Sequence, residues 1–178
     1  GFVFPLGMER LDFWRYSMVC AGYSKWLASR SGVDEQEAWL AGMMLRLGQV
    51  MIAQRMPDTL EQIEAQPRAP GERWDRERQL TGFDEGQIAA EIARRWDFPE
   101  TVANALAHAT QPALSKEPCM SAVVHLAALI TDMAAENPKP LLQDLPQPML
   151  KRLALDAEKL QIQMADAEED SDISMLLG

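Results

Sequence analysis

Apolar residues recur every three or four positions along most of this chain, and nowhere do they alternate as a half-buried strand would. That pattern restricts the fold to packed helices. The strongest instance lies between Asp34 and Pro57, where Leu40, Met44, Leu47 and Met51 make one stripe and Ala41, Leu45, Gly48 and Ile52 make another beside it. A helix apolar around so much of its girth belongs at the centre of a bundle. Asp34-Glu35-Gln36-Glu37 reads as a capping box, so one continuous helix is predicted from there to Met56-Pro57.

The flanking segments follow the same period. A first helix is predicted from about Leu11 to Ser31, with Phe13, Tyr16, Cys20, Tyr23 and Leu27 on one face and Gly32 as a left-handed cap. Short helical signals cover Asp58 to Gln66 and Trp74 to Leu80. Asp84-Glu85-Gly86-Gln87 is a second capping-box pattern, followed by Ile88, Ile92 and Trp96. Pro99 suits the first turn of a helix carrying Val102, Leu106 and Ala109, and Thr110 to Pro118 reads as a loop. A strong helix is expected over Cys119 to Glu136 and a weaker one over Met149 to Met164. The expected architecture is all-α, a compact multi-helix bundle. Residues 1–9 are a lead-in, 10–136 the core, 137–164 a helical extension, and 165–178 an acidic tail without fixed structure.

Charge and composition narrow the function classes. A chain of 178 residues suffices for one buried core. Its net charge of −10 argues against a nucleic-acid backbone or an anionic membrane surface as partner. No apolar run approaches the roughly 18 residues that read as a membrane span. Cys20 and Cys119 do not make a disulfide framework, so a reducing, cytoplasmic setting is expected with both thiols packed as small apolar groups. No nucleophile elbow and no Gly-rich phosphate loop is present. Arg68, Arg73, Arg76 and Arg78 interleave with Glu72, Asp75 and Glu77, which reads as a solvated helix face. Met43, Met44, Met51 and Met56 read as core filling rather than a partner groove. His108 and His125, both placed on helices, are expected to be buried and hydrogen-bonded.

Specific segments resemble a known superfamily. Phe13-Trp14-Arg15-Tyr16-Ser17 is similar to the W-R-H-S start of a helix in HD-type domains. Ala41-Gly42-Met43-Met44-Leu45-Arg46-Leu47-Gly48 resembles the A-G-L-L-H-D-I-G segment that names the HD phosphohydrolases. Phe83 to Ile88 and Arg95-Trp96-Asp97-Phe98-Pro99 resemble the D-H-A-E-V and R-W-G-L-P pieces that follow. Ala105-Leu106-Ala107-His108-Ala109 stands where Y-H-H is common, and Val124-His125-Leu126-Ala127-Ala128 where the superfamily closes its site with A-D. The nearest likeness is to HDOD domains, the HD-related output domains of bacterial signalling proteins, over about residues 10 to 135.

The resemblance implies a metal site taken apart. Tyr16 stands at the first His, Leu45-Arg46 at the His-Asp pair, Glu85 at the next His, and Ala128 at the closing Asp. Of these positions only Glu85 and His108 can still donate to a cation, fewer than the three protein ligands of catalytic sites. Arg46 is a permanent cation where a carboxylate would be needed. The implied function is a non-catalytic signal-transduction module with no cofactor, no catalytic residue and no metal ligand, acting through protein partners in a bacterial pathway. Relatives normally carry a further helical segment ahead of the first helix; either it has been removed here or this relative is shortened, and in the first case exposed apolar surface and self-association into a homo-oligomer are expected. One alternative is a sensor of small molecules or nucleotides, with Arg46 as the anion contact. The other is a divergent phosphohydrolase using Glu85, His108 and further acids that the sequence does not single out. The end of the chain, Ile173-Ser174-Met175-Leu176-Leu177, is a further candidate for docking.

Overall fold

The computed structural model describes residues 10–65 and 69–169. Helix α1 (Arg10–Ser31) packs along α2 (Glu35–Met44) and α8 (Pro118–Glu136). Between them in sequence come α3 (Leu47–Arg55), α4 (Pro57–Glu64), α5 (Glu72–Thr81), α6 (Glu85–Arg95) and α7 (Glu100–Ala107). The chain closes with α9 (Gln147–Arg152) and α10 (Ala157–Glu169), and no strand occurs among the described residues. The fold is all-α, as the periodicity predicts.

The long central helix is not continuous. It breaks at Leu45-Arg46, after α2, and restarts as α3. The reason lies in packing. A β-carbon at Gly48 would overlap the Glu85 carbonyl, so the first turn of α3 approaches the start of α6 more closely than any side chain would permit. Gly42 makes a similar approach to α1 at the Cys20 carbonyl and Ala21. The chain changes direction between these two contacts, and Leu45 stays fully buried in the core.

Local signals predict several ends well. Gly32 (φ 69°) closes α1, and Val33 donates its N–H to the Ala28 carbonyl. Asp84 caps α6 in a reciprocal box with Gln87, at 3.0 Å in each direction. Only half of the Asp34 box forms. Asp34 accepts the Glu37 N–H at 2.8 Å, while the Glu37 carboxylate turns to α7 and accepts the Thr101 hydroxyl at 2.7 Å. A tertiary donor has replaced the local one.

Other expectations are corrected by packing. Cys20 is buried, but Cys119 is exposed at the start of α8, so only one thiol is a core group. Met44 is buried and Met43 and Met51 half-buried, whereas Met56 is exposed at the end of α3. Helix α8 is long and apolar enough to cross a membrane by length and composition (mean hydropathy 1.4), contrary to the expectation of no such run. The bundle explains its character, because 61% of that stretch is buried inside the fold. The single helix expected over Met149 to Met164 is two, separated at Ala154, whose φ is 53°. Its second part, α10, runs on to Glu169, into the stretch expected to lack structure, while residues 170–178 with the docking candidate lie outside the described residues.

The extension shares the core. Leu142, Leu145, Leu150, Leu153, Leu160 and Met164 join the same apolar cluster as α1, α7 and α8. Gln161 accepts the Leu142 N–H at 2.8 Å, and Arg30 of α1 donates to Gln163 at 2.7 Å. Leu11, Trp14 and Met18 share an exposed face of α1, with Leu11 at 78% exposure.

Candidate functional site

The break at Leu45-Arg46 leaves Arg46 in helical geometry (φ −72°, ψ −8°) as the residue ahead of α3. Its side chain enters the space between α1, α6 and α8. The guanidinium lies 3.4 Å from the centre of the Tyr16 ring, a cation–π stack on α1. Its Nε is 3.4 Å from Glu85 Oε2, and Nη2 is 3.5 Å from Asp132 Oδ1 on α8. Nη1 donates to Gln49 Oε1 at 3.1 Å. Arg46 is 6% exposed and Glu85 fully buried, so neither charge is tolerable without the other.

The network extends through α5. Trp74 Nε1 donates to Glu85 Oε1 at 2.8 Å, and the Glu85 N–H donates to Glu77 Oε2 at 2.7 Å. Arg73 links Glu77 (3.1 Å, four residues on) with Glu64 of α4 (2.7 Å). Glu64 also accepts from Gln49 at 2.8 Å, which returns the chain of contacts to Arg46. Asp132 Oδ2 accepts the Gly71 N–H at 3.1 Å ahead of α5. The expectation that the Arg-rich stretch is a solvated face is therefore overturned for Arg73, which is 3% exposed. Arg78 belongs to the α6 cap instead, pairing with Asp75 and, at 2.8 Å, with Asp84.

Burial shapes the protonation of these groups. It works against the Arg46 charge, but the groups facing it, led by Glu85, outweigh that and hold its pKa above the ordinary guanidinium value. Burial keeps the Tyr16 hydroxyl protonated, well above the usual phenol range, and pushes the Cys20 thiol up to about 12. The Glu77 carboxyl is pushed up to about 7 by burial and by the neighbouring Glu85 charge, against the pull of Arg73. His125 is lowered by burial and faces the Ala109 carbonyl through Nδ1 at 2.7 Å. A carbonyl only accepts, so that nitrogen carries a proton, and the ring supports Trp74 at 5.2 Å between centroids.

Of the residues singled out by sequence, the fold brings Tyr16, Arg46 and Glu85 together, with Leu45 buried behind them. Ala128 is buried on α8, one turn before Asp132. His108 lies just past the end of α7, half-buried, and takes no part in the network. Gln49, Glu64, Arg73, Trp74, Glu77 and Asp132 were not anticipated. Asp132 was signalled as an acid four residues beyond Ala128, hence on the same face of an otherwise apolar helix. Among the described residues no group of three His, Cys, Asp or Glu side chains is placed to hold a metal ion.

Solved structures share this arrangement of helices. A protein of Shewanella amazonensis provisionally named a phosphohydrolase is 22% identical with a TM-score of 0.71, covering 91% of this chain and 61% of its own. One of Marinobacter aquaeolei, provisionally named for signal transduction, is 23% identical with a TM-score of 0.74, over 98% of this chain and 40% of its own. An HDOD domain protein of Geobacter sulfurreducens, of unknown function, is 21% identical with a TM-score of 0.67, over 97% and 62%. The chain thus spans from two fifths to about three fifths of the length of these three proteins. No curated protein matches it. The family model of the HDOD domain matches residues 4–112, which takes in α1 through α7 with Tyr16, Arg46 and Glu85 but stops short of Asp132 on α8. This chain belongs to the HDOD domain family.

Proposed function

We propose that this chain is a non-catalytic module of bacterial signal transduction that acts through protein contacts. Membership of the HDOD family supports a signalling role, as does the name of the Marinobacter neighbour. The observation that carries the non-catalytic part is the Arg46 ion pair. A dication at this spot would need Glu85 and Asp132, and both already face a buried guanidinium. Leu45 and Ala128 offer no donor atom, and Arg46 adds repulsion where a metal needs attraction. These residues do not fit a metal ion. The same network ties α1, α4, α5, α6 and α8 into one frame, which suits a scaffold that presents its outer surfaces. The exposed Leu11, Trp14 and Met18 on α1 support contact with another protein or a second copy of this chain.

The test combines metal content with turnover. Protein purified in the presence of manganese, iron and zinc is expected to hold none stoichiometrically and to leave a generic phosphodiester intact. Stoichiometric metal together with turnover lost in Glu85→Ala would overturn this reading in favour of a phosphohydrolase, the name carried by the Shewanella neighbour. The sensor alternative requires Arg46 to exchange protein carboxylates for a ligand's phosphate. A dose-dependent rise of Tm with nucleotides would favour it.

A further inference from the structure

The charges buried around Arg46 do not balance. Arg46 serves two carboxylates, Glu85 at 3.4 Å and Asp132 at 3.5 Å, and Arg73 serves two more, Glu64 at 2.7 Å and Glu77 at 3.1 Å. Two guanidinium groups therefore face four acids. Arg76, also on α5, has its guanidinium nitrogens buried and donates to none of them. Arg78 and Asp84 pair with each other at 2.8 Å, and His125 behind Trp74 turns Nδ1 to the Ala109 carbonyl, so neither makes up the deficit. An interior short of cations disfavours the charged form of its carboxyls, and most of all of the deepest. Glu64 and Asp132 reach solvent, at 31% and 23% side-chain exposure, whereas Glu77 and Glu85 are fully buried. Glu85 has Arg46 and the Trp74 indole N–H to hold its charge. Glu77 has the Glu85 N–H and an Arg73 that leans more closely on Glu64. It is the least compensated of the four.

We propose that Glu77 is a proton switch between α5 and α6, taking up one proton from solvent as the pH falls through neutral. Burial and the Glu85 charge together push its carboxyl up to about 7. In the ionised form both oxygens accept: Oε1 from Arg73 Nε–H, and Oε2 from the Glu85 N–H, a first-turn donor with no partner inside α6. The neutral acid carries a hydrogen on one of these oxygens and cannot hold both bonds as the carboxylate does. The backbone N–H is fixed in place, while Arg73 has a second acid within reach. The Arg73 bond is therefore the one given up, and its guanidinium turns wholly to Glu64. Protonation thus tightens α5 on α4 and reduces its hold on α6 from a charge-assisted bond to a neutral one. The first turn of α6 is also where Gly48 of α3 meets the Glu85 backbone, so the change is felt beside the break at Leu45-Arg46. The switch does not depend on whether the chain is catalytic.

The experiment is an NMR titration of the whole isotope-labelled chain from about pH 5 to 8. The Glu77 carboxyl carbon is expected to titrate at about 7 against an ordinary 4.5, with the Glu85 amide and the Arg73 Nε–H shifting at the same midpoint. In Glu77→Gln the pH-dependent shifts of those two N–H groups should be lost. In Glu64→Gln, Arg73 serves Glu77 alone, and the Glu77 midpoint should fall by about one pH unit. A Glu77 midpoint in the ordinary carboxylate range overturns the switch. So does a titration of the two N–H groups that survives Glu77→Gln. A midpoint unmoved in Glu64→Gln overturns the shared cation as its cause.

Discussion

Two regions of this protein are equally buried and held by different physics. Around α7 and α8, Leu106, Val123, Leu126 and Ile130 lie fully buried among aliphatic neighbours. Where α5 meets the α1–α6–α8 junction, Arg46, Glu85, Glu77 and Arg73 are buried almost as completely. The aliphatic region gains from area removed from water, a non-directional effect that tolerates a change of shape at modest cost. The charged region gains only while every partner is in place, because an ion left alone in the interior costs more than its pair contributed. Burial by itself therefore does not say how fragile a site is.

The contrast is broken most directly at Arg46. Arg46→Ala is expected to cost about 4 kcal/mol of unfolding free energy in a denaturant titration, since Glu85 is left buried without its cation. Adding Glu85→Gln to Arg46→Met should recover most of that loss, because the charge to be compensated goes too. If the double variant is no better than Arg46→Ala, the network is held by shape rather than charge. In the aliphatic region Leu126→Ala should cost about 3 kcal/mol with no such rescue, the price of a cavity. Gly48→Ala sharpens the link between the regions: it should cost about 2 kcal/mol by forcing α3 away from the Glu85 backbone. A cost under a few tenths would mean that this approach has slack.

The last expected effect is spread over pH. The Glu77 carboxyl titrates near 7 in the folded state against an ordinary value of 4.5. Between those values the folded protein holds a proton that the unfolded chain has released. Stability from this group is therefore greatest at low pH and falls as pH rises towards 7, by at most about 1.4 kcal/mol per pH unit. His125, lowered by burial, contributes the opposite slope, losing stability as pH falls through the ordinary imidazole range. Denaturation of the parent and Glu77→Gln across about pH 5 to 7 isolates the Glu77 contribution. A difference between the two that does not shrink as pH falls would refute the assignment to Glu77.

Residues that act on near neighbours were legible in the chain. The period of the apolar positions, the Asp84-to-Gln87 box and the Gly32 cap each depend on contacts within a turn or two, and each forms as read. The likeness of five ordered segments to HD domains singles out Tyr16, Arg46 and Glu85. The interruption at Leu45-Arg46 was not legible, because α3 bends away from α2 to meet α6, nearly forty residues further along. Nor was the diversion of Glu37 to Thr101, the burial of Arg73, or the arrival of Asp132 at Arg46.

The sequence by itself determined that this protein is a bundle of helices and that residue 46 is a permanent cation. The tertiary structure alone decided what that cation touches. Helical periodicity is set by bonds four residues apart, whereas the partners of Arg46 come from α1, α6 and α8, and only the packing of those helices brings their side chains within reach.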